Sequence, residues 1–392
     1  MKHIIIKNFG PIKEADIELK RINVIIGPQS SGKSCVLKTA CYCTWVEKRI
    51  ELMQTSEFFA TDDNFLKEFI RFHKLKGYIR TNSYIKYDSD FMSFTYDNLT
   101  KTFDFKWKEN RWKYKRSKVT YVPAERNLVA TIPNWYEVKF EDDNIRSFMA
   151  DWESARKATQ EDINILNLGV SYHYDANTKS DKVQVADGVT LDFTNTSSGL
   201  QSVIPLFIHL YNLVYKQNTK DSIINSRENQ TLYSTIYEEL FRKTGKADDI
   251  VPKIGSLRGR TLTTSQIGRD IYLFKNATYA NECNDIYKNF VTPTHCDIFL
   301  EEPEANLFPP TQSNLVEWLL DLTKDNTPNN LFIATHSPYI LTSFIEKKDL
   351  DIQLFYTKLN DSIITVSTAT QQDIQDIYDF GVDAFYNIEN LD

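Results

Sequence analysis

The sequence predicts an α/β protein with a mixed central sheet, an antiparallel β subdomain and a helical lobe. Three strand-like segments near the N-terminus predict the start of the sheet, and the rest of the architecture follows from the later elements and from the resemblance described below. The β-branched run at 3–9 is ended by Gly10-Pro11, which predicts a strand followed by a turn. Residues 14–20 alternate between apolar and charged side chains, as in a half-buried strand. The apolar run at 23–26 is continuous, as expected of a strand buried on both faces.

The remaining elements are predicted from apolar spacing and from glycine or proline boundaries. Ile145, Phe148, Met149 and Trp152 recur at helical spacing. Helices are predicted at 35–53, 143–167, 202–215, 218–250 and 311–323. Strands are predicted at 101–108, 111–115, 118–122, within 170–193, and at 295–300, 331–335, 354–356 and 363–366. The segment 251–270 is rich in loop-forming and basic residues.

Composition bounds the class of protein before any motif is considered. Hydrophobic residues make up 41% of the chain and charged residues 25%, which is typical of a globular protein. The aromatic content of 13% supplies core material and argues against disorder. The net charge of −7 argues against strong, nonspecific binding to nucleic acid, although a local basic groove stays compatible with it.

The cysteines and the hydropathy pattern predict a soluble, cytoplasmic protein. The five cysteines are odd in number and form no C-x-x-C pair, which indicates reduced thiols rather than disulfides or a zinc site. No apolar run reaches the roughly eighteen residues of a membrane helix. The chain begins directly in a predicted strand, without the apolar segment of a signal peptide. We therefore expect no membrane partner.

A glycine-rich loop at 27–34 matches the G-x-x-x-x-G-K-S pattern that cradles phosphates. Its glycines let backbone N–H groups converge on a phosphate, and the following helix adds its dipole. Lys33 is expected to reach the β- and γ-phosphates of ATP, and the Ser34 hydroxyl to bind Mg²⁺. An accidental glycine turn is the alternative. The predicted nucleotide-binding residues are Gly27, Gln29, Ser30, Ser31, Gly32, Lys33, Ser34 and Cys35.

Two adjacent carboxylates follow the strand predicted at 295–300. Glu301 is expected to orient Mg²⁺, and Glu302 to act as general base toward the attacking water. Pro303 then ends the strand. A solvated pair of surface glutamates is the alternative interpretation, and the phosphate loop favours the functional one.

A segment of small residues opens the helix predicted at 202–215. Hydroxyls and a glycine at a helix N-terminus form an anion cradle, because the first backbone N–H groups of a helix are free. An ordinary helix N-cap is the alternative interpretation. The residues of this second candidate cradle are Ser197, Ser198, Gly199 and Gln201.

A histidine follows the strand predicted at 331–335. Placed just past a buried strand, His336 could contact the γ-phosphate or position the attacking water. A lone histidine is more often structural. The order of phosphate loop, small-residue segment, paired carboxylates and histidine along the chain favours the functional interpretation.

Together these motifs resemble the P-loop ABC ATPase head shared by the SMC, RecF and OLD families. The loop at 27–34 is similar to their Walker A motif, and Glu301-Glu302 to their Walker B motif. The run at 301–309, followed by Thr335-His336-Ser337-Pro338, most resembles the OLD-like prokaryotic ATPases, as does the opening at 6–12. The resemblance covers about residues 1–40, 119–127 and 194–340.

The resemblance implies how ATP is held. In the family, residues near Asn8 and Phe9 lie beside the adenine. The segment Ser197–Gln201 resembles the signature segment, which binds the γ-phosphate of ATP held by a second subunit. Two copies are therefore expected to sandwich two Mg–ATP molecules head to tail.

This sequence departs from the family pattern at several positions. Most ABC proteins have aspartate where Glu301 stands, although the longer side chain still reaches a metal-bound water. Asn306 and Phe308 replace two histidines that the family often carries. No Q-loop glutamine stands out, and 123–127 occupies its place, so that role is unassigned.

The resemblance also implies a separate effector protein. The chain after His336 is too short for the Toprim nuclease domain of OLD nucleases, and no heptad run predicts SMC-type coiled-coil arms. The chain resembles the ATPase subunits of antiphage systems such as PARIS and Septu, with a nucleic acid or phage protein as trigger. A RecF-like repair ATPase that binds DNA directly is the alternative, and a transporter ATPase is disfavoured by the long insertions.

We expect one composite ATPase head over 1–392. Insertions are expected at 54–118 and 130–190. A helical signature lobe is expected at 194–295, and the Walker B, D-loop and H-loop segments with closing strands at 296–392.

Two basic patches are candidates for nucleic-acid contact. Aromatic residues and lysines interleave in the hairpin predicted at 101–118, a pattern that can track a single strand. A half-buried antiparallel sheet with its lysines in solvent is the alternative. Arg258, Arg260 and Arg269 form the second patch, for which a solvated loop or a subunit contact is the alternative.

Overall fold

The structure is a computed structural model, and it describes residues 2–185, 188–216, 226–247, 263–267, 270–324, 329–347, 351–360 and 363–380. The helices in these ranges are α1 Lys33–Met53, α2 Glu57–Ala60, α3 Asn64–His73, α4 Leu128–Thr131, α5 Asn144–Lys157, α6 Ser198–Tyr211, α7 Ser226–Ile236, α8 Ala277–Val291, α9 Pro309–Asp321, α10 Pro338–Ile345 and α11 Gln371–Phe380. The strands are β1 Lys2–Phe9, β2 Ile12–Leu19, β3 Ile22–Ile26, β4 Ile79–Asp88, β5 Met92–Asp97, β6 Thr102–Trp107, β7 Ser117–Val122, β8 Ile163–Asn164, β9 Ser171–Asp175, β10 Ser180–Gln184, β11 Thr190–Asp192, β12 Thr263–Ile267, β13 Asp270–Phe274, β14 His295–Glu301, β15 Asn330–Ala334, β16 Ile352–Asn360 and β17 Ile363–Thr368. None of the helices in these ranges is long and apolar enough to span a bilayer.

Eleven of the strands form one mixed sheet in the order β6-β5-β4-β1-β2-β17-β16-β3-β15-β14-β7. From β16 to β7 the neighbouring strands run parallel. From β6 to β2 they run antiparallel. β17 joins the two halves, because it pairs antiparallel with β16 and parallel with β2. The predicted α/β class with a mixed central sheet is confirmed.

The parallel half of the sheet lies between two hydrophobic cores. In β3, Ile22, Val24 and Ile26 face one core and Ile25 faces the other. The neighbouring strands β14 and β15 alternate between the same two cores. A strand covered on both faces needs apolar residues at successive positions, which explains the continuous apolar runs of the sequence.

The antiparallel half is covered mainly on one face. Ile4 and Ile6 of β1 are fully buried, whereas Ile5 between them is partly accessible. Phe65 and Phe69 of α3 pack on this buried face, and Phe69 stacks on Phe9 with ring centroids 5.2 Å apart. One covered face produces the alternating pattern that predicts these strands.

Two smaller sheets flank the main one. Strands β8 to β11 form the antiparallel subdomain that the sequence predicts, in the order β11-β10-β9-β8. Trp152 of α5 packs against this sheet through Tyr172 and Phe193. β12 and β13 form a hairpin whose Tyr272 packs into a separate cluster with Tyr233 of α7.

The prediction of a hairpin at 101–118 is wrong for its second strand, which was expected at 111–115. β6 pairs with β5 on its N-terminal side instead. Glu109–Lys113 form a short 3-10 helix. The reason is local packing, because the guanidinium of Arg111 lies 3.8 Å from the ring centroid of Trp107 and 4.2 Å from that of Trp112.

Three other boundaries also differ from the sequence prediction. The helix predicted at 143–167 ends at Lys157, because the chain then joins the small sheet through β8. The helix predicted from 202 already begins at Ser198. Within the loop predicted at 251–270, residues 263–267 form β12. Arg258, Arg260 and Arg269 lie outside the described residues.

Candidate functional site

The candidate site lies at the carboxyl ends of adjacent parallel strands. The phosphate loop follows β3, the paired glutamates stand at the end of β14, and His336 follows β15. Parallel strands present their carboxyl ends at one edge of a sheet, so segments that are distant in sequence meet there. β16, on the other side of β3, adds Thr357.

Two glycines of the phosphate loop have no room for a side chain. A Cβ atom on Gly27 would lie 1.8 Å from Oγ1 of Thr357, and one on Gly32 would lie 2.4 Å from Cδ1 of Ile12. Their φ angles of 151° and 87° also favour glycine. Gly32 directly precedes α1, so the loop runs into the free N–H groups of a helix N-terminus.

Buried hydroxyl groups hold the loop from within. The Ser31 hydroxyl donates to the Pro28 carbonyl at 2.6 Å. The Thr357 hydroxyl donates in turn to Oγ of Ser31. Both side chains are buried, so water competes little for these hydrogen bonds. The closing strand β16 thereby fixes the shape of the loop.

Lys33 is the first residue of α1 and is buried. Its amino group donates to the carbonyls of Gly27 at 2.9 Å and Pro28 at 2.7 Å. Burial lowers the pKa of Lys33 to about 8, and the charges of Glu302 and Glu304 oppose that shift. The loop therefore encloses an ammonium group that an anion would attract.

The other predicted residues of the loop differ in accessibility. Gln29 and Ser30 are exposed, and Ser34 is half-buried in the first turn of α1. Cys35 is buried, its thiol lies 3.9 Å from the Phe9 carbonyl, and burial raises its pKa to about 12. Cys35 can therefore offer a nucleotide only its backbone.

The two residues predicted beside the adenine are held by other contacts. The ring of Phe9 is fully buried and stacks on Phe69, so Phe9 could contact a base only through its backbone. Asn8 has a positive φ of 51°. Its side chain donates to the Asn82 carbonyl at 3.3 Å and accepts from Lys13 at 3.0 Å.

Glu301 is held by a tyrosine on the neighbouring strand. Its carboxylate is buried and accepts a hydrogen bond from the Tyr121 hydroxyl of β7. Burial, together with the charge of Glu301, raises the pKa of Tyr121 well above its ordinary value. The tyrosine therefore keeps its proton and restrains the carboxylate that is predicted to orient Mg²⁺.

The side chains of Glu302, the second of the paired glutamates, and His336 lie next to each other. Oε1 of Glu302 lies 3.4 Å from Nε2 of His336. The His336 ring lowers the pKa of Glu302, with help from Lys33 and Arg126 and against the effect of partial burial. Glu302 has a positive φ of 43°, and its N–H donates to the Ala334 carbonyl at 2.8 Å. Strained backbone of this kind is concentrated at functional sites.

Arg126 has no assigned role in the sequence analysis, yet it is the most connected side chain near the site. It follows β7 and is 1% exposed. Its Nη atoms donate to the carbonyls of Glu301, Glu302 and Pro303 at 3.2, 3.0 and 3.0 Å. Its Nε donates to the Ser202 carbonyl of α6 at 3.1 Å. Burial lowers the pKa of Arg126 to about 10, so it stays charged at neutral pH.

The segment Ser197–Gln201 caps and begins α6. Ser197 is the N-cap, with its Oγ accepting from the backbone three residues on at 3.4 Å. The Gln201 side chain donates to the Thr194 and Thr196 carbonyls at 2.9 and 3.1 Å. Ser197 and Ser198 are exposed. The hydroxyls and the free N–H groups of this helix start therefore face solvent.

This segment packs against the loop that follows the paired glutamates. A Cβ atom on Gly199 would lie 3.1 Å from the Asn306 carbonyl. The Asn306 side chain donates to Oγ of Ser202 at 2.8 Å. Asn306 thus fastens the loop to α6. The resemblance leads one to expect histidine at this position.

The segment after β15 is fastened to the same loop. The His336 N–H donates to Oε1 of Glu304 at 2.7 Å. Ser337 caps α10 and donates its hydroxyl to the Gln312 side chain, which itself donates to the Leu307 carbonyl at 2.8 Å. These bonds connect the segment of His336 to the loop that follows the paired glutamates.

The structure brings the phosphate loop, Glu301, Glu302 and His336 to one edge of the sheet. Ser197–Gln201 contacts the preceding turn and the loop at 302–307, and Leu200 packs on the hydrophobic core, so within the described chain the segment is not joined to the phosphate loop by any hydrogen bond. Sequence analysis missed Tyr121, Arg126 and Thr357. Their signal was weak, since each is a single polar residue in or just after a strand, and the sequence does not reveal which strands become its neighbours.

No family model and no curated protein sequence matches the chain. Solved structures with a similar fold include the SMC head domain from Thermotoga maritima, with 10% identity, a TM-score of 0.42, and 94% of this chain and 98% of that chain covered. The SmcHead bound to the C-winged helix domain of ScpA has 10% identity and a TM-score of 0.42, over 96% of this chain and 99% of that chain. An Smc head with an extended coiled coil, bound to the C-terminal domain of ScpA derived from Pyrococcus furiosus, has 11% identity and a TM-score of 0.32, with 97% and 99% covered.

Gly32→Ala is expected to abolish nucleotide binding, because the added methyl group would overlap Ile12 and displace the loop. Gly77→Ala is the matched control, since Gly77 has a φ of 86° but open space around it. Both substitutions should cost roughly 1–2 kcal/mol for the left-handed backbone. Calorimetric titration with Mg–ATP checks the difference. Equal affinities in the two variants would contradict the cradle described above.

Arg126→Met is expected to lower the free energy of unfolding by about 3 kcal/mol or more, because it leaves buried carbonyls without donors. The exposed Arg146 provides the control Arg146→Met, for which we expect a change within about 0.5 kcal/mol. Denaturant unfolding of both variants measures the difference. Similar small losses would show that the bonds of Arg126 contribute little.

Proposed function

We propose that this chain binds Mg–ATP at residues 27–34 and hydrolyses it, and that two copies share each ATP. One observation carries the proposal, namely the shape of the phosphate loop. Gly27 and Gly32 admit no side chain, and Lys33 is buried inside the curl of the loop. The loop opens onto the 21-residue helix α1, whose N-terminus adds free N–H groups and its dipole. These features suit a polyphosphate.

The oxygen atoms beside the loop suit Mg²⁺. This cation is held in proteins by one or two side-chain oxygens together with substrate phosphates and waters. Ser34 would supply a hydroxyl from the first turn of α1, and Glu301 would contact the water shell of the ion from the end of β14. When bound, Mg²⁺ supplies positive charge that neutralises the phosphate oxygens.

The residues around Glu302 suit hydrolysis by water. Its side chain is 41% exposed, so water can reach it. Glu302 is an ionised carboxylate at neutral pH, with its pKa held below the usual value by the His336 ring, and it can accept the proton of the attacking water. His336, 3.4 Å away, would position the γ-phosphate or that water. Lys33 would stabilise the charge that develops on the phosphate.

The start of α6 supports a site shared between two copies. Ser197 and Ser198 are exposed, and the segment packs on the chain's own loop at 302–307 through Gly199. Its free N–H groups are thus available to an anion outside the chain. In a head-to-tail dimer, each Ser197–Gln201 segment would meet the γ-phosphate held by the phosphate loop of the other copy.

The contacts of Arg126 suggest how such a site could control another protein. They connect the turn that carries Glu302 with α6, so closing of the dimer would displace both together. From the motif resemblance we propose that this motion controls a separate effector, such as a nuclease of an antiphage system. Co-purification with the product of a neighbouring gene tests this role. ATP-dependent, salt-sensitive DNA binding by the chain alone would favour the repair role instead.

Glu302→Gln is expected to reduce ATP hydrolysis by about 100-fold or more while ATP binding persists, because only proton transfer is removed. The unhydrolysed ATP should then hold the two copies together. Phosphate release, calorimetric titration and sedimentation velocity measure the three effects.

Two further variants control this test. Lys33→Met should lose ATP binding itself, which separates binding from hydrolysis. Glu317→Gln removes an exposed carboxylate on α9 and should leave hydrolysis unchanged. Full turnover by Glu302→Gln would remove Glu302 from the role of general base.

A further inference from the structure

The strand β6 forms one edge of the main sheet, and no other strand of the described residues lies along its outer side. Within the described chain, β5 is the strand that pairs with it. None of its six residues is buried, and they alternate between exposed and half-buried. At the opposite end of the sheet, most of β7 is buried. An open edge of this kind presents unpaired backbone N–H and C=O groups that can bind another strand.

One hydrogen bond shows which backbone groups of β6 point outward. The Lys108 N–H donates to the Phe91 carbonyl at 2.9 Å, in the register that pairs Trp107 with Met92. In antiparallel strands, bonded and non-bonded pairs alternate. Hydrogen bonds to β5 therefore involve Lys108 and every second residue before it. The groups that point to the open edge belong to Phe103, Phe105 and Trp107.

These outward groups fit a second copy of the same strand. With a two-fold axis at Phe105, the two Phe105 residues lie opposite each other. Phe103 then lies opposite Trp107 of the second copy, and the reverse pair follows by symmetry. All three pairs present outward groups on both sides, so the two strands could exchange about six backbone hydrogen bonds.

The side chains are complementary in the same register. Asp104 lies opposite Lys106 of the second copy, twice in each dimer. These pairs are of the non-hydrogen-bonded kind, in which the side chains come closest. Both side chains are exposed, and neither makes a side-chain hydrogen bond or ion pair within the described chain. Opposite charges at such positions stabilise strand pairs.

The neighbouring registers are unfavourable. An axis at Asp104 would place the two Asp104 carboxylates opposite each other, and an axis at Lys106 would do the same with two ammonium groups. If the axis lay between two residues, each residue whose N–H and C=O point outward would face a residue of the second copy whose N–H and C=O point inward, and no hydrogen bonds could form. Among the axes at Asp104, Phe105 and Lys106, the one at Phe105 satisfies both the backbone and the charges, and it keeps all three outward-facing residues paired.

The apolar face of β6 also gains from this pairing. Phe103 packs on Phe65 and Phe94 with ring centroids 5.2 and 5.4 Å away, yet it stays partly accessible at the edge. Phe105 and Trp107 are half-buried as well. A second copy would extend the aromatic row across the axis, where aromatic cross-strand pairs are stabilising.

We propose that two copies of this chain pair antiparallel through β6, with the two-fold axis at Phe105, and so join their main sheets into one. This interface differs from the proposed ATP-sandwich. β6 is seven strand positions from β3, or roughly 34 Å at about 4.8 Å per strand. The pairing needs no nucleotide. The alternating aromatic and lysine pattern of 101–108 is thereby explained as a protein interface rather than a nucleic-acid groove.

A charge exchange tests the proposal. Wild type, Asp104→Lys, Lys106→Asp and the double variant are compared by sedimentation equilibrium without nucleotide, over a range of protein concentrations. Each single variant creates two like-charge pairs and should weaken the dimer about tenfold or more. The double variant restores two opposite-charge pairs and should return close to the wild-type dissociation constant.

Further measurements distinguish a loss of strand pairing from misfolding and from loss of ATP binding. At concentrations low enough for all variants to be monomeric, thermal unfolding should be unchanged, because the exchanged side chains are exposed. Lys33→Met should form the same dimer, so loss of ATP binding leaves this test intact. Amide exchange should slow with rising concentration at Phe103, Phe105 and Trp107. A monomeric wild type, or single and double variants that dimerise equally well or equally poorly, would overturn the proposal.

Discussion

The guanidinium of Arg126 donates hydrogen bonds to backbone carbonyls on both sides of the candidate site, and the arrangement of the site depends on it. Burying such a cation is costly unless its donors are satisfied, and here carbonyls of the turn at 301–303 and of Ser202 satisfy them. The turn that carries Glu302 is thereby held at its strained φ angle. The same bonds fix the start of α6 relative to that turn, so the two cannot shift independently.

The other elements of the site are built around this fixed unit. Two further hydrogen bonds attach neighbouring elements to the turn held by Arg126: Asn306 bonds to Ser202 of α6, and Glu304 accepts from the N–H of His336. The phosphate loop is shaped separately, by Thr357 from the closing strand β16. The candidate site therefore consists of the turn that carries Glu302 and of the phosphate loop, each held by its own hydrogen bonds, at the carboxyl ends of β3, β14 and β15. The start of α6 is exposed, as the proposed contact with a second copy requires.

Sequence analysis could predict the parts of the site that are contiguous in the chain. The glycine loop and the paired glutamates are such parts, because backbone shape and strand ends impose local patterns. Arg126, Tyr121 and Thr357 escaped prediction, since their roles depend on which strands become neighbours. The segment 111–115 was misread as a strand because its alternation of aromatic and basic residues has a period of two. Stacking of Arg111 on two tryptophans folds it into a 3-10 helix instead. Phe9 was predicted to lie beside the adenine, but its packing shows that its ring belongs to the hydrophobic core.

Mixing two inactive variants tests the shared ATP site most directly. Lys33→Met removes one half of the site, and Ser198→Arg blocks the other half on the exposed start of α6. A mixed dimer keeps one intact site, so an equal mixture should recover roughly a quarter of the wild-type hydrolysis rate. A mixture of Lys33→Met with Glu302→Gln, which alter the same half, should recover none. Full activity of Ser198→Arg alone, or no recovery in the first mixture, would contradict a site shared between two copies.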